Sequence, residues 1–154
     1  MPSVLLPVPH FEQRRDGTCL PACGRMVLAY WGDFRQEEEL AVLLGTKTFG
    51  TPVSNAARLT TWSYAVTIVE QISRSMLETY LNDGTPVIAR VWTAMLDYWQ
   101  QVTSHVVVLI GYDDDHVIVN DPALPDGRCA ILWDAFLAAW AEFDETAVVI
   151  TPGR

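Results

Sequence analysis

Residues 12–32, "EQRRDGTCLPACGRMVLAYWG", decide the fold. Up to Gly17 and Thr18 the stretch is polar. From Cys19 it turns apolar with helical spacing, Ala22, Met26, Ala29 and Tyr30 recurring at i, i+4, i+7 and i+8. Gly32 and Asp33 end this helix. A helix that starts at Cys19 puts the thiol where backbone N–H groups lack partners and the helix dipole favours an anion. Such a thiol has a lowered pKa, and the thiolate is the nucleophile. Cys23 stands one turn deeper without that help and reads as packing.

Working outward, the leader Ser3 to Pro9 is expected to be extended, because Pro7 and Pro9 bias their predecessors away from helix. A short helix over about Gln36 to Leu44 opens with acidic residues and stops at Gly45. "GTPVSNAARLTTW" predicts a third helix, with Thr51 as N-cap and Pro52 at the first helical position. "YAVTIVE" alternates as a strand, and "SRSMLETYLNDG" reads as a helix capped by Ser73 and closed before Gly84. Beyond it lie five strand candidates, "PVIARVW", "HVVVLIGY", "HVIVND", "CAILW" and "TAVVITP", with one helix, "DAFLAAWAEF", among them. Helices first and strands afterwards predict an α+β architecture with a mainly antiparallel sheet, residues 1–154 forming a single domain.

The composition narrows the function. The chain has 154 residues, half of them apolar, enough for one buried core. Its formal charge of −9 disfavours nucleic acid or an anionic membrane surface as partner. No apolar run reaches the roughly 18 residues of a membrane span. "MPSVLLPVPHF" lacks a basic start, and its internal prolines interrupt any signal-peptide core, so a cytoplasmic location is expected. Three cysteines argue for reduced thiols, not a disulfide framework.

A nucleophilic cysteine needs a base, a group that orients the base, and oxyanion donors. Of three histidines, His10 lies in the extended leader and His116 among Asp113, Asp114 and Asp115 in a turn; both read as packing or solvated residues. His105 opens the apolar run "HVVVLIGY" just after the polar "QQVTS", at the mouth of a buried strand. Asp121 closes the next strand before Pro122. A hairpin would bring it to the same sheet end, where its carboxylate can fix the imidazole tautomer; "NDP" is also an ordinary turn signal. Gln13, six residues before Cys19, can offer a side-chain amide beside the Cys19 N–H. Metal and disulfide-exchange chemistry fit less well. C-x-x-x-C lacks a paired second half for zinc, departs from the redox C-x-x-C, and the aspartate cluster lacks the spacing of a calcium loop.

Taken in order, Gln13, "CLPACGRMVLAYWG", "SH105VVVLIGYD" and "VND121P" resemble the bacteriocin-processing (double-glycine) peptidase family of papain-like cysteine peptidases. "QEEELAVLLGT", "GTPVSN" and "FLAAW" are similar to the linking segments of its free-standing bacterial members. The resemblance implies a papain-like fold, a helical half carrying Cys19 packed on a β half carrying His105 and Asp121. It implies Cys19 as nucleophile, His105 as base and then acid, Asp121 as orienting residue and Gln13 as oxyanion donor. Peptide or other amide bonds would be hydrolysed without a cofactor or metal. Leu20 departs from the glycine that usually follows the nucleophile in that family. Two other readings stay open: a catalytically idle domain that binds peptides or a partner protein, motivated by six tryptophans, and an acyltransferase or small-amide hydrolase.

Overall fold

The computed structural model describes residues 3–153. Helix α1 runs from Cys19 to Tyr30, and nine of its twelve residues are buried. It is covered almost all round because it lies between a sheet and a second helix, α2, Glu37–Leu44. Gly24 faces α2 closely: a Cβ there would lie 2.9 Å from the Leu40 side chain. Helix α2 begins with a capping box between Gln36 and Glu39, and Gly45 ends it in the left-handed region that glycine adopts without strain.

The segment expected to be a third α-helix, Val53–Trp62, is instead a 3-10 helix, with Pro52 and not Thr51 at its N-cap. Asn55 and the β-branched pair Thr60 and Thr61 weaken α propensity here. The Thr60 hydroxyl donates to the Ala57 carbonyl three residues back, in keeping with the tighter turn. Asn55 donates to the Leu44 carbonyl and so ties the segment to the end of α2.

The strands form one sheet in which every recorded pairing is antiparallel. They are β1 (Val4–Leu5), β2 (Tyr64–Val69), β3 (Val87–Trp92), β4 (Ser104–Tyr112), β5 (His116–Asn120), β6 (Arg128–Leu132) and β7 (Ala147–Pro152). The order across the sheet is β2-β7-β3-β4-β5-β6, with β1 on β4. The leader is extended as expected, and it is also a sheet member: Val4 opposes Tyr112 and Leu5 opposes Gly111.

Alternation along the central strands divides the core in two. Ile88, Val106, Val108, Val148 and Ile150 face α1, α2 and the 3-10 segment. Val87, Val107, Leu109, Val119 and Val149 face helices α3 (Arg74–Asn82) and α4 (Trp133–Ala141). The expected packing of a helical half on an antiparallel sheet is present, and two later helices cover the sheet's far face. Ser73 caps α3, its hydroxyl accepting from Met76 N. Trp31 and Trp140 do pack between helix and sheet, Trp31 donating to the Ile150 carbonyl at 2.9 Å.

Candidate active site

Helix α1 delivers Cys19 as its first residue. The preceding turn is held by Thr18, whose hydroxyl donates to the Arg15 carbonyl at 2.7 Å and accepts from Arg15 N at 3.3 Å. That hydroxyl therefore does not cap the helix, and no other side chain does. The first-turn N–H groups stay available beside the thiol, and Pro21 removes one donor that would have lacked a partner. Gly17 adopts φ +86°, and a Cβ there would meet the Thr48 carbonyl at 2.7 Å, so only glycine lets the Cys19 turn pass the 47–50 loop.

The hairpin of β4 and β5 brings His105 and Asp121 together at one sheet end. His105 Nε2 and Asp121 Oδ1 are 2.7 Å apart, with His105 4% exposed and Asp121 fully buried. Nε2 is thereby occupied, which leaves Nδ1 for the Cys19 sulfur beside the ring. Burial alone would push the imidazole pKa down. The hydrogen bond to Asp121 and the neighbouring Cys19 outweigh it and raise His105 to about 9. Burial likewise opposes ionisation of Asp121, yet His105 and the other donors hold its carboxyl below the ordinary value.

Gln13 lines the same cleft. Its main-chain N–H donates to the Pro122 carbonyl at 2.7 Å, so the residue after Asp121 anchors it. Its side-chain Nε2 donates to the Arg15 carbonyl at 2.9 Å, which leaves a second N–H on the same nitrogen. Gln13, Cys19 and His105 thus line one cleft of about 990 Å3, and Asp121 lies buried behind His105. On its rim stand Phe49, 88% exposed, and Val102, also exposed.

The remaining sulfurs and imidazoles lie elsewhere. Cys23 is fully buried against the Val106 carbonyl, and burial first, then Cys19 and Asp121, push its thiol pKa well up. His10 bonds the Leu124 carbonyl at 2.7 Å, and His116, expected in a turn, is the first residue of β5 and stands beside Asp113. Cys129 is half-buried on β6. All three cysteines are free, and no group of three or more metal-ligating side chains gathers among the described residues.

Sequence reasoning missed Tyr98 and Trp99. Both donate to Asp121 Oδ2, at 2.6 and 3.0 Å, and the Trp99 ring lies 4.6 Å from that of His105. The available signal was an adjacent aromatic pair just ahead of the polar "QQVTS".

Solved structures share this architecture. A C39-like peptidase from Bacillus anthracis superimposes with a TM-score of 0.80 at 19% identity, covering 96% of each chain. A double glycine motif protease from an AMS/PCAT transporter, solved in complex with its leader peptide, gives 0.75 at 22% identity, covering 97% of this chain and 95% of that one. The peptidase domain of Streptococcus ComA, a bi-functional ABC transporter of a quorum-sensing pathway, gives 0.75 at 19%, covering 92% and 96%. No curated protein matches the sequence. The family profile described as "Peptidase_C39 like family" matches residues 5–148, nearly the whole chain, and the protein belongs to that family.

Proposed function

We propose that this member of a peptidase family is a working cysteine hydrolase of peptide, or other amide, bonds. Its site consists of Cys19, His105, Asp121 and Gln13. The observation that carries the reading is the buried His105, bonded to Asp121 through one nitrogen and flanked by Cys19. A raised imidazole pKa beside a thiol favours the thiolate–imidazolium pair, the reactive state of such a dyad.

Cys19 Sγ attacks the carbonyl carbon, and the C=O electrons move to oxygen. Gln13 Nε2–H and the Cys19 main-chain N–H donate to that oxyanion. The imidazolium gives its proton to the leaving nitrogen, the C–N bond breaks, and an acyl-thioester remains on Cys19. His105, now neutral, takes a proton from water; the hydroxide attacks the thioester, and the thiolate departs with the imidazolium restored. Asp121 stays ionised throughout and holds the ring in the tautomer each step needs. A peptide substrate suits the open cleft with apolar side chains on its rim, and one structural neighbour binds a leader peptide.

The test is the iodoacetamide alkylation rate of each cysteine against pH, with sites assigned by mass spectrometry. Cys19 is expected to label well below the ordinary thiol range of about pH 8.5, and to lose that reactivity in His105→Ala. Turnover of a fluorogenic peptide library should vanish in Cys19→Ala and in His105→Ala while the fold persists; unaltered turnover in either variant defeats the proposal. The idle-domain reading drew on exposed tryptophans, and none of the six is exposed.

A further inference from the structure

We propose that Tyr98 is a positioning residue which, together with Trp99, clamps one oxygen of Asp121 so that the other stays aimed at His105. The inference rests on the hydrolase reading of the same site. Asp121 is fully buried and accepts four hydrogen bonds, two on each oxygen. Oδ1 receives His105 Nε2 at 2.7 Å and Ala123 N at 2.9 Å. Oδ2 receives the Tyr98 hydroxyl at 2.6 Å and the Trp99 indole at 3.0 Å. A carboxylate held only through Oδ1 can rotate about its Cβ–Cγ bond and tilt the imidazole with it. Two donors converging on Oδ2 remove that freedom, and charge-assisted bonds of this kind are the strong ones.

The loop that supplies them is braced for the purpose. Thr93, fully buried at the end of β3, donates its N–H to the Thr103 carbonyl at 3.0 Å. Its hydroxyl donates to the Gln101 carbonyl at 2.6 Å and accepts from Thr103 N at 2.8 Å. These bonds close residues 93–103 at the base, two residues before His105, and hold Tyr98 and Trp99 over Asp121. Trp99 lies against the His105 ring at 58° between planes, covering the His105–Asp121 bond from that side. Burial and then the Asp121 charge push the Tyr98 phenol far up, so it remains a donor across the working range.

Tyr98→Phe deletes one donor and keeps the ring. Asp121 then protonates at higher pH, and a carboxylate held at Oδ2 by Trp99 alone is less firmly fixed and supports the imidazolium less well. Both effects act on the acid edge of Cys19 reactivity. That edge, read with iodoacetamide, is expected to move up by about one pH unit, with peptide turnover reduced roughly tenfold in kcat and KM unchanged. Site-specific 3-fluorotyrosine at position 98, a stronger donor of nearly the same shape, should move the edge the other way. It also serves if Tyr98→Phe does not fold. Acid edges that superimpose on the wild type for the folded variants overturn the inference. A wild-type Cys19 that reacts only near pH 8.5 counts against the hydrolase reading instead. In that case the Asp121 carboxyl titration by carbon-13 NMR, shifted or unshifted by the same substitutions, still decides whether Tyr98 tunes Asp121.

Discussion

A histidine as buried as His105 ordinarily loses its proton, because a low-dielectric surrounding penalises the charged form. Here the Asp121 bond and the adjacent Cys19 win, and the folded-state value of about 9 stands above the ordinary 6.5. Since the folded value is the higher, protonated His105 stabilises the fold fully below pH 6.5, and that contribution disappears as pH rises through about 9. A difference of that size corresponds to roughly 3 kcal/mol. Asp121 has the opposite sense: its depressed value stabilises above the ordinary carboxylate range and is lost as pH falls through it. The wild type should therefore exceed His105→Gln in urea midpoint near neutral pH, the gap closing through about pH 9. A gap constant from pH 6 to 10 would mean that the imidazole is not held in its charged form.

At the level of elements, the attachment of β1 depends on one residue. Gly111 sits opposite Leu5, and a Cβ there would collide with the Val4 carbonyl oxygen and lie 3.0 Å from Leu5 Cα. Backbone cannot yield as a side-chain tip can. Gly111→Ala should detach β1, costing about 1–3 kcal/mol. Amide exchange would localise the loss to Ser3 N and Leu6 N, which donate to Tyr112 O and Ile110 O. Undiminished protection at Leu6 would refute this. The sequence itself hides the contact: "SVLLPVP" says extended through its prolines, but nothing in two residues of strand names partners as distant as Gly111 and Tyr112. The same limit explains the 3-10 segment, whose Pro52 and Leu59 fit either helix type. It also explains Tyr98 and Trp99, whose roles exist only because Asp121 arrives from another strand. Legible elements were those with local causes, such as Gln36 and Gly45 bounding α2, Ser73 capping α3, and the change to helical spacing at Cys19. The nearness of Gln13, Cys19, His105 and Asp121 was legible too, because Cys19, His105 and Asp121 stand at element edges and Gln13 lies in the loop before α1.

For the whole molecule, the cleft unites two halves that share one apolar interface. Cys23 and Leu28 from α1, Leu40 from α2, Leu59 from the 3-10 segment, and Ile88, Val108 and Ile150 from the sheet form a continuous cluster. Removing α1 from the sheet uncovers all of it at once, so neither half has a core of its own on that side. Unfolding in urea should therefore be a single transition. The two cysteines of α1 provide the measurement. Cys19 lines the cleft and should be labelled in the native state at every urea concentration. Cys23 is fully buried with its pKa raised, and should react only as the core opens. Its labelling midpoint is expected to coincide with the change in tryptophan fluorescence, since Trp31 is tied to β7 and Trp140 lies in the opposite layer. Labelling of Cys23 at clearly lower urea would mean that the helical half lifts from an intact sheet. Cys19 and His105 would then be joined by a hinge, and the geometry of the site would depend on that hinge being closed.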